Sequence, residues 1–231
     1  MTRIHGLAAL AWLALVGWAS AQALIVEDWS SSPVSAQGVP VGWQKLADSL
    51  PFLERQIAKR LITSNYDFEV VPSPPGRALH LVSAGDHSII VKDLSGLDLG
   101  RTPLLEWMWR VDVAPRDGDL SAKERSDSAA EIHLVWRASK RTIGYAWDET
   151  LPVDSHFDNP RRPEVHFVIA TSGKARPGEW IGVIRDVVAD YRRIYGTDPA
   201  IAPDQIAISV DSNQTRSRAE SYIGTIKFRA P

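Results

Sequence analysis

Apolar and polar residues alternate with period two through much of the chain, the signature of half-buried strands. The runs are Ala78–Ser83, Ser88–Leu94, Leu104–Val113, Ala130–Trp136, Thr142–Trp147, Val165–Ala170, Ile206–Val210 and Ile223–Phe228. Pro, Gly, Asp and Asn punctuate the gaps, and no repeat or low-complexity tract interrupts them. Many short strands with regular turn signals predict an all-β antiparallel sandwich or barrel. Two segments break the pattern. Leu53–Ile62 reads as a short helix. In Ile184–Tyr195 the apolar residues Ile184, Val187, Val188, Tyr191, Ile194 and Tyr195 recur at helical spacing. Asp186 is placed to cap that helix, Gly196 to close it and Pro199 to stop it. Trp180–Val183 just before it reads as a further strand.

Parity also assigns faces. On Leu104–Val113 the indoles of Trp107 and Trp109 share a face with Leu105, Val111 and Val113, an apolar run expected in the core, while Glu106, Met108 and Arg110 face away. On Ala130–Trp136 the apolar face is Ile132, Leu134 and Trp136, against Glu131, His133 and Val135. On Thr142–Trp147 it is Ile143, Tyr145 and Trp147, against Gly144 and Ala146. Three such strands suggest one sheet with a core face and an open face. On that reading a ligand meets Glu106, Arg110, Glu131 and His133; the plainer reading is a solvated surface. Residues 116–127, RDGDLSAKERSD, read as a charged hairpin tip or flexible lip beside that face.

The N-terminus sets the compartment. Arg3 and His5 precede an apolar run from Leu7 to about Trp18, followed by Ala19-Ser20-Ala21. This pattern predicts a signal peptide over residues 1–21, cleaved after Ala21 or Ala23, and one sandwich domain over 22–231. The apolar run falls short of the roughly 20 residues of a membrane-spanning helix, so the cleaved chain is expected not to span a membrane. The chain has no Cys, which suits a bacterial periplasm or secretion without disulfides. Lys+Arg 26 against Asp+Glu 28, with no basic stripe, argues against nucleic acid as a partner.

No sequence signature of a nucleophile elbow, zincin, phosphate loop or paired-cysteine site is present, and the six His are scattered, so no catalytic residue is assigned. In "SVDSNQT" the oxygens of Asp211, Ser212, Asn213 and Thr215 suit Ca²⁺, with Asp211 and Asn213 as candidate ligands. The preferred reading is a turn in which these side chains bond their own backbone. Arg185-Asp186 reads as a cap plus a buried ion pair.

"GVPVGWQ", "LLEWMWRV", "RTIGYAW", "RDVVADYRRIYG" and "IAISVDSNQT…AESYIGTIKF", in that order, resemble the domain of unknown function 3047, a family of exported bacterial proteins. The resemblance covers residues 25 to 228. It implies a jelly-roll (galactose-binding-like) sandwich similar to carbohydrate-binding modules, and no established activity. The chain departs from the family pattern at Ser126-Asp127, where paired acids are usual. It also departs at Glu131 (usually Arg), Gly144 (Asn) and Asn213-Gln214 (Asp-Asn). If those positions form a site, this member has altered it. Asp127, Arg185, Asp186 and Asp211 are retained.

The sequence expectation is therefore an exported module that binds a glycan or another polar ligand without catalysis. The candidate contacts are Glu106, Arg110, Asp127, Glu131, His133, Arg185 and Asp211. Two alternatives stand beside it. One is a carbohydrate-active hydrolase or lyase using Glu106 with Glu131, which requires the two carboxyls about 5–10 Å apart. The other is an envelope scaffold that binds protein.

Overall fold

The computed structural model describes residues 23–51, 54, 56, 64–74 and 76–231. The expected signal peptide lies outside the described residues, as does nearly all of the helix expected at 53–62.

Among the described residues are thirteen strands, two short α-helices and one 3-10 turn at Lys123–Arg125. The strands are β1 (Ala23–Glu27), β2 (Gln44–Lys45), β3 (Asp67–Ser73), β4 (Gly76–Ala84), β5 (His87–Asp93), β6 (Leu104–Val113) and β7 (Glu131–Trp136). They continue with β8 (Arg141–Asp148), β9 (His156–Asp158), β10 (Val165–Ser172), β11 (Ile181–Asp186), β12 (Gln205–Asp211) and β13 (Arg218–Arg229). The helices are α1 (Leu46–Ser49) and α2 (Val187–Tyr195). Every strand expected from periodicity is present. One sheet runs β11-β6-β13-β4-β3, with β1 also on β13; the other runs β2-β5-β12-β7-β8-β10-β9. All pairs are antiparallel except β8 with β10. The molecule is an all-β sandwich.

The inner faces follow parity. Leu105, Trp107, Trp109 and Val111 of β6 are buried against Ile132, Leu134, Ile143, Tyr145, Trp147 and Ile208 of the other sheet. Trp107 and Trp109 meet edge-to-face at 5.2 Å and reach across the sandwich to Tyr145 (5.6 Å) and Trp147 (6.2 Å). Most buried indoles find an acceptor for their N–H; among the described residues Trp107 Nε1 has none. Trp109 donates to Thr171 Oγ1 (3.0 Å), Trp147 to the Gly173 carbonyl and Trp136 to that of Ile201 (each 2.9 Å). Trp29 donates to the carbonyl of Gly224, at a bulge where Ile223 and Ile226 both turn inward.

The helix α2 starts later than the apolar spacing suggests. Ile184 belongs to β11 and is exposed, because pairing with β6 holds the chain extended as far as Asp186. From there the expected cap forms: Asp186 accepts the Ala189 N–H, and Gly196 closes the helix with φ +73°.

Two expectations are corrected. The strands β6, β7 and β8 do not share a sheet: β6 lies between β11 and β13, β7 and β8 in the opposite layer. Residues 116–127 are not a hairpin tip either, since they carry the chain from one sheet to the other. Leu120 is fully buried beside Ala146, Val165, Phe167 and Ile169, and its N–H donates to Asp148 Oδ2 at 3.0 Å. The segment is packed onto the outer face of β8 and β10.

Candidate functional site

The outer face of the seven-stranded sheet forms a cleft of about 500 Å³. Strand register builds its floor in rows. One row runs Ile89, Ser209, Glu131, Ala146, Ile169 and the next Val91, Ala207, His133, Gly144, Phe167. A third runs from Gln205 through Val135 and Thr142 to Val165. α1 and Leu50–Pro51 form one wall, Arg137 and Arg162 stand on the rim, and Ser126 reaches the edge from the packed 116–127 segment. The floor is thus an apolar strip with a polar end.

At that end Glu131 is buried, with 6% of its side chain exposed. Its Oε2 accepts from Ser209 Oγ at 2.6 Å and lies 2.8 Å from His133 Nε2. Among the described residues no group donates to Oε1, and the residue lines the cleft. Burial works to raise the Glu131 pKa, but the bond and charge of His133 and the Ser209 hydroxyl outweigh it and hold the carboxyl below its ordinary value. Across Ser209, Asp211 accepts the Asn213 N–H at 3.1 Å and lies 3.5 Å from His87 Nδ1. Burial, then the charges of Asp127 and Glu131, push Asp211 well above the usual carboxylate range. Burial lowers the pKa of His87. Two acids on one floor are therefore driven in opposite directions.

Gly144 has a steric role here. A Cβ on it would lie 2.8 Å from His133 Nδ1 and 2.9 Å from Phe167 Cδ1. The absent side chain is what lets the imidazole and the phenyl ring stand side by side.

The candidate residues separate into groups. Glu131, His133 and Asp211 come together in the cleft, with Asp127 buried behind them, where its carboxylate accepts the N–H groups of Gln214 (3.2 Å) and Thr215 (2.7 Å). Glu106 and Arg110 stand on the outward face of the opposite sheet. Glu106 pairs with Lys227 (2.9 Å) and Arg229 (2.6 Å), which hold its pKa down. Arg110 pairs with Asp112 and lies 3.7 Å over the Tyr222 ring. The expected Glu106–Glu131 pair is thus split between the two outer faces of the sandwich, because alternation fixes a side chain's face but not its strand's sheet. Arg185 sits at the β11–α2 junction, forked onto Asp190 at 2.9 and 2.7 Å and bonded to Asp154 at 2.6 Å. It is the buried ion pair the sequence suggested. Asp211 accepts the Asn213 N–H, as in the turn the sequence suggested.

Sequence reasoning missed Ser209, His87, Phe167 and the steric part of Gly144. Parity applied to Gln205–Asp211 places Ala207, Ser209 and Asp211 on one face, so that signal was present.

Residues 54–227 match the family model described as a protein of unknown function (DUF3047), and the chain belongs to that family. No curated protein matches the sequence. Among solved structures, the chain is similar to a family 29 carbohydrate-binding module complexed with cellulohexaose (9% identity, 91% of this chain and 92% of that one, TM-score 0.41). It is also similar to the family 11 carbohydrate-binding module of a cellulosomal cellulase of Clostridium thermocellum (9%, 92% and 97%, TM-score 0.43). A further likeness is to the xyloglucanase domain of a type three effector from Sinorhizobium fredii, in complex with cellobiose (9%, 87% and 100%, TM-score 0.44).

Proposed function

We propose that this protein is an exported module that binds a glycan, or a polar ligand of similar build, in the cleft on the seven-stranded sheet. The observation that carries the reading is the combination on that floor: an apolar strip beside a buried carboxylate whose Oε1 takes no donor among the described residues. Sugars present C–H faces and hydroxyl edges; the C–H faces suit Val91, Ala207 and Phe167, and adjacent hydroxyls suit Glu131 Oε1. Pockets of this size, mostly apolar with a few fixed polar groups, are the usual form of small-ligand sites. Export rests on the N-terminal pattern of residues 1–21; among the described residues no helix is long and apolar enough to cross a membrane.

Affinity electrophoresis of the chain from residue 24 onward, through gels containing plant, bacterial and host polysaccharides, tests the reading. Retardation by at least one polysaccharide is expected. Free migration through every gel would overturn it.

A further inference from the structure

We infer that the cleft is also catalytic, with Asp211 as general acid and Glu131 as general base in the hydrolysis of a glycosidic bond. The inference rests on the glycan reading above and adds a reaction to it.

The geometry comes from strand register. Ser209 pairs directly with Glu131. Asp211 is the next residue of β12 on the same face, so the two acids are diagonal neighbours. Such neighbours stand about 7–8 Å apart on a sheet, a spacing that matches the carboxyl separation of single-displacement hydrolysis, in which a water sits between the two acids. Both acids line the cleft. Glu131 is oriented through Oε2 by His133 and Ser209, and Oε1, which takes no donor among the described residues, is the oxygen that accepts a proton. Asp211 lies against the carboxylate of Asp127, and two carboxyls buried together resist being ionised together. Burial beside Asp127 thus favours the protonated form of Asp211, while His133 and Ser209 favour the charged form of Glu131, the division of labour that acid–base hydrolysis needs. Among the described residues, the titratable and charged groups nearest the pair are His87 of β5, His133 of β7, Asp127 and, from the β9–β10 loop, Arg162, with Glu54 and Arg137 lining the same cleft.

The step balances with water as co-reactant. Asp211 gives its proton to the glycosidic oxygen as the bond from that oxygen to the anomeric carbon breaks, and the bonding electron pair leaves with the oxygen. The water oxygen bonds to the anomeric carbon, and Glu131 takes a proton from it. One water is consumed, two hydroxyl-bearing products form, and the carboxyls recover their starting states by proton exchange with solvent. Asp127 touches no substrate in this scheme; it is a positioning residue that keeps Asp211 in its acid form.

The experiment is a reducing-end assay on the polysaccharides that retard the chain, with Glu131→Gln, Asp211→Asn and Asp127→Asn beside the wild type. Release of reducing ends is expected from the wild type, with a loss of about 100-fold or more in the Glu131 and Asp211 variants, the range for removing a general acid or base. Activity of the wild type should fall on the acid side as Glu131 is protonated and on the alkaline side as Asp211 ionises. Asp127→Asn should move the alkaline limb to lower pH, an effect that a merely structural role would not produce. A polysaccharide that is bound but never cleaved overturns this inference and leaves the binding reading standing. So does cleavage that survives both Glu131→Gln and Asp211→Asn, or an alkaline limb that Asp127→Asn leaves in place. If no polysaccharide is retained at all, both readings fall together.

Discussion

Three residues show how burial decides chemistry. Trp109 is fully buried with its N–H satisfied by Thr171, so Trp109→Ala removes packing and a hydrogen bond together. We expect a loss of about 3–5 kcal/mol, the range for deleting a buried aromatic, measured by denaturant unfolding. Gly144→Ala works in reverse. Its new methyl meets His133 and Phe167 inside contact distance, and an overpacking cost of about 1–3 kcal/mol is expected by the same measurement. A variant as stable as the wild type would mean that the two rings have room the geometry denies them. Asp211 links the site to pH. A carboxyl whose folded pKa is raised contributes stability fully below its unfolded value, about 3.9, and loses it as pH rises through the folded value. Asp211→Asn keeps an acceptor for the Asn213 N–H and cannot ionise. Its melting temperature should exceed that of the wild type at pH 8, with the gap narrowing toward pH 4; a gap independent of pH would show that Asp211 ionises as an ordinary surface acid.

At the scale of elements, what was legible in the sequence and what was not divide along a physical line. A strand's faces are written in its own alternation, so β6, β7 and β8 were readable down to which side chain points inward, except Val113, which is only half-buried where β13 shifts register against the end of β6. Their partners are not written there. The strand β6 pairs with β13 more than a hundred positions away, and nothing in Leu104–Val113 says which sheet it joins. The expected Glu106–Glu131 pair failed for that reason, while Glu131 and His133, neighbours on one strand, were found. The strands passed over, β1, β2, β3 and β9, are short or irregular: β2 has two residues, β9 three, and β3 carries Pro72. The helix α2 was legible because its cap and stop are local. Its attachment is testable. Asp190 takes Arg185, Arg193 and the Tyr145 hydroxyl together. Asp190→Asn strands a largely buried guanidinium, and a loss of about 3 kcal/mol is expected in denaturant unfolding, at the low end for breaking a buried pair because Asp154 still bonds Arg185. A loss below about 1 kcal/mol would place this cluster with ordinary surface pairs.

The sandwich has two outer faces, and the proposed ligand site lies on one of them. The cleft on the seven-stranded sheet measures about 500 Å³; the hollow on the other sheet, beside Met108, Trp180 and Thr225, measures about 230 Å³. The direct measurement is polysaccharide affinity for two variants that each fill one face. Ala207 lies in the middle of the cleft floor between Val91 and His133, so Ala207→Trp occupies the cleft; Thr225→Trp occupies the hollow. With folding of both checked by circular dichroism, Ala207→Trp should abolish retardation in the polysaccharide gel and Thr225→Trp should leave it unchanged. Retained binding by Ala207→Trp, or its loss in Thr225→Trp, would contradict the assignment of the ligand to this cleft.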